Sequence, residues 1–184
     1  MFKALIIICI LSFCSPVFSS TKEKIISQMH LIHNLSFNFT QTIDNKNEKG
    51  KCVIEYPKKI YCKYDGANKK IIVSNGKSLV IKTRNLGSYY LYPLNKTPLE
   101  YLLDKEYLIS KMKILEPREI NNKYLNFKIF DNNNEINLFF DIKNLNLVGW
   151  QTEDIYQKLT ITFISLVKTN QKINKNIFQL PSRN

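Results

Sequence analysis

The residues with the richest chemistry are few and scattered. His30 and His33 stand three apart at the end of an apolar-striped segment, a spacing that could present two imidazoles to one metal ion. No cluster of Cys, Asp or Glu lies near them in sequence to complete a coordination set. The pair therefore reads as ordinary surface or core edge, and no metal site is expected. Asp141, Glu153 and Asp154 lie near strand ends, where structural hydrogen bonding accounts for them without acid–base work. The chain has no G-x-S-x-G elbow, no Cys with a plausible His partner and no glycine-rich phosphate loop. No catalytic residue and no cofactor is expected, and an enzyme is not. Only three Arg are present and they form no stripe, so nucleic acid is not an expected partner either.

The cysteines carry more information. Cys9 and Cys14 fall in an N-terminal apolar run, which leaves Cys52 and Cys62 as an even pair. Pairing Ile54 with Ile60 around Pro57 sets these two opposite each other on one face of a hairpin, so a disulfide is expected in an oxidising compartment. Two buried thiols acting as small apolar wall residues are the alternative.

That compartment is indicated at the N-terminus. Lys3, the apolar run Ala4–Cys14, and then Val17 and Ser19 as small residues at −3 and −1 have the pattern of a secretory signal peptide. The run is too short for a hydrocarbon core that needs about 20 residues. Phe13 occupies the position where a lipoprotein signal requires a small residue before Cys14. Cleavage is expected after Ser19, with residues 20–184 forming a single domain.

The mature chain has ample material for a core: 44% of the 184 residues are hydrophobic and 12% aromatic. Five Gly and six Pro exclude collagen-like and low-complexity classes. The formal charge of +12 would suit an acidic partner or an anionic membrane, but the abundance of Lys, Asn and Ile resembles codon bias and weakens that reading.

Periodicity places the elements. Thr21–His33 has helical spacing, with Ile25, Ile26 and Met29 on one stripe. From Leu35 the period becomes two, through Phe37, Phe39 and Gln41. A polar loop is expected from Asp44 to Lys49, ending at Gly50. Lys51–Tyr64 then reads as two strands folded around Pro57-Lys58-Lys59. Short strands follow at Lys70–Ser74, Ser78–Thr83 after Asn75-Gly76, and Ser88–Tyr92. Pro98–Tyr107 breaks the pattern with a short helical face of Leu99, Leu102 and Leu103. Strands are expected again at Lys111–Leu115, Tyr124–Phe130, Glu135–Asp141, Leu147–Glu153 and Gln157–Lys168. Such a run predicts an antiparallel meander curled into a barrel or half-barrel, whose apolar concave side is filled by helices or by a ligand.

At this level of detail the chain resembles the LolA-type periplasmic carriers of outer-membrane lipoproteins, from about Lys22 to Pro181. Phe39-Thr40-Gln41 is similar to the family's F-x-Q strand. Ile71–Lys77 resembles its hairpin with Asn75 in place of Asp, and Tyr92–Leu99 followed by Leu102-Leu103 resembles the run entering its lid. Leu138–Asp141, Leu147, Trp150 and Asp154 resemble its late strands, and Phe178 and Pro181 its closing F-x-x-P. The resemblance implies a mainly β fold, an open, unclosed antiparallel β-barrel with an α-helical lid of the LolA/LolB type.

It further implies a periplasmic chaperone. Its partners would be the acyl chains of lipoproteins, an inner-membrane ABC transporter that releases them, and an outer-membrane acceptor such as LolB or a membrane surface. A monomer is expected. A carrier or sensor for another lipid or hydrophobic ligand is the alternative. The lipid-binding wall is expected at Phe37, Phe39, Ile54, Ile60, Tyr64 and Tyr92, with Leu99, Leu102 and Leu103 on the lid; a permanent core of the same residues is the competing reading. The family's lid-tethering Arg before the hairpin proline is here Tyr56, counted among the lipid-binding residues, whose hydroxyl is expected to make the lid contact; a plain aromatic cavity wall is the alternative.

Overall fold

The computed structural model describes residues 20–131, 134–153 and 157–183, so the expected signal peptide and Asp154 lie outside the described residues. Helix α1 (Thr21–His30) begins with a capping box. The Ser20 hydroxyl accepts from the Glu23 amide, and the Glu23 carboxylate accepts from the Ser20 amide. Its apolar stripe buries Ile25, Ile26 and Met29. The helix stops at His30, earlier than its apolar stripe suggests. Asn170 donates to the Leu31 carbonyl and accepts from the His33 amide, fixing the exit from α1 onto the end of the sheet.

Eleven strands form one antiparallel sheet: β1 (Asn34–Ile43), β2 (Lys46–Glu55), β3 (Lys59–Tyr64), β4 (Lys70–Asn75), β5 (Ser78–Thr83), β6 (Ser88–Pro93), β7 (Arg118–Ile120), β8 (Tyr124–Asp131), β9 (Asn134–Asp141), β10 (Leu147–Glu153) and β11 (Leu159–Thr169). The spatial order is β6-β5-β4-β3-β2-β1-β11-β10-β9-β8-β7. Two meanders thus meet along the β1–β11 seam, where Phe39 faces Ile164 and Gln41 faces Thr162. The outer edges β6 and β7 do not pair with one another, and the barrel stays open.

The chain between those edges supplies the cover. After a 3-10 turn at Leu94–Lys96 come α2 (Leu99–Leu102) and α3 (Lys105–Ile114). Asp104 caps α3 by accepting from the Tyr107 amide at 3.0 Å. Lys111–Leu115 was expected as a strand and instead forms the last turn of α3 and its cap. Charged and apolar residues alternate from Lys111 to Ile114, but Leu108, Ile109 and Met112 make the stripe that is buried. The polar segment Lys46–Lys49, expected as loop, belongs to β2. Asp44 and Asn45 take left-handed conformations (φ 47° and 62°) and close a two-residue hairpin directly. The three-residue edge strand β7 has no expectation to match it.

Gly50 on β2 leaves space that the wall requires. A Cβ there would lie 2.3 Å from the Lys63 carbonyl oxygen and 2.8 Å from the Phe39 ring. With that space free, Phe39 lies across β2 and packs edge-on against Tyr64, with ring centroids 4.8 Å apart. On the adjoining row Cys52 faces Cys62 across β2 and β3, and their sulfurs are bonded.

Two sets of contacts hold the helices down. The first is at the β2–β3 turn. The Lys58 amide donates to the Leu103 carbonyl at 2.8 Å, and its ammonium pairs with Glu100 and, at 3.5 Å, with Asp104. Buried Ser74 supports this turn by donating to the Lys58 carbonyl at 2.9 Å. The second joins α1 to α3 at both ends. Lys105, at the start of α3, donates to the His30 and Ile32 carbonyls at the end of α1, each at 3.0 Å. Lys22, at the start of α1, reaches the Lys113 carbonyl at 3.5 Å and pairs with Glu116. Each lysine meets the negative end of the other helix.

Tyr56 is not the tether. Its hydroxyl makes no hydrogen bond among the described residues, and its ring lies against Met29, Leu102 and Leu108. Lys58, two residues further on, makes the contact to the lid because the turn aims its backbone and its ammonium at α2.

Two outcomes follow from these contacts. Hydrogen bonding to Glu100, with the Glu100 and Asp104 charges, raises the Lys58 pKa above the ordinary lysine value. Its contribution is therefore complete below the unfolded value near 10.4 and is lost as pH rises through the higher folded value. Replacing Lys58 with Met should speed amide exchange in α2 about fivefold, equivalent to about 1 kcal/mol, while the central strands keep their protection. Unchanged α2 exchange would refute the tether. Replacing Cys52 and Cys62 with Ala together should lower stability by about 2–3 kcal/mol in urea unfolding, and intact protein should resist alkylation until reduced. Two freely labelled thiols in secreted protein would exclude the bond.

Candidate functional site

A cavity of about 360 Å³ lies between the concave face of the sheet and the start of α2, within the size range of small-molecule sites. Its floor is made by Phe39, Cys52, Ile60, Cys62 and Tyr64 of β1–β3. Ile72, Leu79, Ile81 and Tyr90 continue the wall on β4–β6, and Thr97, Pro98 and Leu99 form the roof. Strand alternation explains the apolar wall. Register places Phe37, Cys52, Cys62, Ile72, Ile81 and Tyr90 in one inward row across six strands.

The expected wall residues separate into three groups. Phe39, Ile60, Tyr64 and Leu99 line this cavity. Ile54, Tyr56 and Leu102 instead border a gap of only about 10 Å³ next to α1 and α3, too small for a ligand. Phe37 and Leu103 lie in the core beside it, and Tyr92 packs half-buried against that core. Phe37 packs edge-on against Trp150 at 5.8 Å, and Leu103 is wholly buried. The helices α1 and α3 fill that end of the half-barrel, and the space remains toward β4–β6.

Apart from the Cys52–Cys62 pair, the rest of the lining had no counterpart among the expected wall residues. Gln41 and Ile43 continue the inward alternation of β1 beyond Phe39, a signal that the sequence does carry. Trp150, Thr152, Thr160 and Thr162 arrive from β10 and β11, which only the seam brings opposite β1. Their end of the cavity is polar. The Tyr64 hydroxyl donates to Gln41 Oε1 at 3.0 Å, and Gln41 Nε2 donates to Thr162 Oγ1 at 3.1 Å. Burial, and then the nearby Glu48 charge, raise the Tyr64 pKa, so the phenol stays protonated as a donor. Lys70 sits 3.8 Å from the centre of the Tyr64 ring and pairs with Glu48 at the mouth.

His30 and His33 are both exposed, and His33 uses its backbone amide to bind Asn170. Among the described residues no group of three or more His, Cys, Asp or Glu could hold a metal ion. Among them, too, no helix is long and apolar enough to cross a membrane. Asp141 serves its own turn. Its carboxylate accepts from the amides of Lys143 and Asn144, and these bonds lower its pKa. What the arrangement offers is an enclosed apolar wall with a hydrogen-bonding end.

Comparison with known proteins agrees with this architecture. An uncharacterised conserved protein from Thermus thermophilus superposes with a TM-score of 0.52 at 6% identity, covering 88% of this chain and 95% of that one. A LolA superfamily protein from Nitrosomonas europaea gives 0.46 at 9% identity, covering 88% and 99%. No curated protein matches by sequence. The profile of the family described as "Outer membrane lipoprotein carrier protein LolA" matches residues 31–181, from the end of α1 to the closing proline. The chain belongs to the LolA family of outer-membrane lipoprotein carriers.

Proposed function

We propose that the protein is a periplasmic chaperone that carries lipoproteins from an inner-membrane ABC transporter to an outer-membrane acceptor, sheltering their acyl chains beneath its lid. The observation that carries this reading is the cavity beneath α2, walled by aliphatic and aromatic side chains and roofed by Leu99. An acyl chain gains about 0.8 kcal/mol for each buried CH₂, so crossing water uncovered would be strongly unfavourable. A concave apolar wall under a removable roof answers that need. The roof is a single turn of helix held at the rim by Lys58, so it can be released without disturbing the sheet. Export is supported by the N-terminal signal pattern, and Ser20, the first residue after the expected cleavage point, already caps α1.

The test uses Leu99, which faces the cavity, and Leu103, which is buried in the core. Protein purified from the periplasm should yield acylated peptides or lipids on extraction and mass spectrometry. A carboxylate set against an alkyl chain is poorly solvated, so Leu99→Asp should weaken uptake of acylated peptide at least about tenfold, or about 1.4 kcal/mol, with strand content intact. Leu103→Asp should instead unfold the protein. A folded Leu99→Asp variant that carries lipoprotein as well as the native chain would overturn the carrier reading.

A further inference from the structure

The interior of the half-barrel is not uniformly apolar. Phe37, Cys52, Cys62, Ile72 and Ile81 lie on one inward row, while the rows at the opposite end read Trp150–Thr162–Gln41 and Thr152–Thr160–Ile43. Thr152, Thr160 and Thr162 are 7%, 5% and 2% exposed, and all three line the cavity. Thr160 and Thr162 have partners: the Lys158 carbonyl and the Gln41 side chain. The Thr152 hydroxyl makes no hydrogen bond among the described residues. Thr83 lines the cavity too, but its Oγ1 is sealed off without a partner and is not presented to a ligand. Gln41 uses one amide hydrogen on Thr162 and one acceptor site on Tyr64, which leaves it a further donor.

An alkane filling this space would leave the Thr152 hydroxyl and the Gln41 amide dry and unpaired, which costs free energy for each group. A ligand carrying its own carbonyls and hydroxyls to that end would not. The charges restrict the choice further. Lys70 is already neutralised by Glu48, and Glu153 stands on the rim, so no free cation of the described lining awaits a phosphate or a carboxylate.

We propose that the polar end formed by Gln41, Thr152 and Thr162 recognises the neutral ester or amide head of an acylated ligand whose tail lies along the apolar row. This deepens the carrier reading of the same cavity and rests on it. Thr152 and Gln41 donate to the head's carbonyl oxygens. The ligand is thereby held in one direction, tail toward the disulfide row and head toward the β10–β11 side.

Displacement of an apolar fluorescent dye from the intact mature protein tests this with three probes of equal chain length: a monoacylglycerol, the free fatty acid and the plain alkane. The native protein should bind the monoacylglycerol about tenfold more tightly than either of the others. Thr152→Val and Gln41→Leu should bring the monoacylglycerol down to the level of the alkane while alkane binding holds or improves. Thr152→Ala, which removes the hydroxyl without setting a second methyl in its place, should do the same and so covers the case in which Thr152→Val folds poorly. Equal binding of all three probes by the native protein, tighter binding of the fatty acid, or variants that keep the monoacylglycerol preference would overturn the head assignment while leaving a carrier intact. Failure of all three probes to displace the dye would overturn the carrier reading and this inference with it.

Discussion

The seam between β1 and β11 is the pairing on which everything else depends. It joins strands from opposite ends of the chain, and all the other strand pairs are made between neighbours in sequence. Without it there would be two separate meanders, each with one apolar face and nothing to cover it. With it the sheet gains enough width and twist to curl, and a concave side exists. The seam also composes the site. Phe39 and Gln41 on one strand acquire Ile164 and Thr162 on the other, so the apolar wall and its polar end come together through one register. Long-range pairing of this kind raises the contact order, which slows folding.

Openness follows from the same topology. Because β6 and β7 are edges, the segment linking them has to travel across the mouth, and its apolar residues can be buried only by turning downward onto the sheet. The cover is therefore a necessary connection of the fold. Its two ends differ in character. Leu108, Ile109 and Met112 of α3 are buried as core, whereas Leu99 of α2 is half-buried over empty space. One part of the cover is permanent and another part is a roof.

The alternation of Phe37, Phe39, Ile54, Ile60 and Tyr64 was sufficient to read a curled antiparallel sheet with a greasy inside, because a half-buried strand writes its two faces into the sequence. The same alternation misled at Lys111–Leu115, where five residues are compatible with either period and only the partners of Leu108 and Ile109 decide. It was silent at Lys46–Lys49, since a polar strand tip is held by backbone hydrogen bonds that leave no apolar mark. Of the site, the wall was legible and its limits were not. Which of Phe39, Ile54, Leu99 and Leu103 faces space depends on how far α1 and α3 fill the trough, a matter of three-dimensional volume. The tether moved from Tyr56 to Lys58 for a related reason. The conformation of a turn, and not the identity of the residue beside its proline, determines which side chain points at the lid.

The reciprocal lysine contacts between α1 and α3 have a mechanical consequence. With each helix gripping the far end of the other, the pair behaves as a single lever, and neither helix can tilt alone without breaking a contact at its tip. The break at Leu103–Asp104, where α2 departs from α3, then divides the cover into that lever and the single turn that carries Leu99.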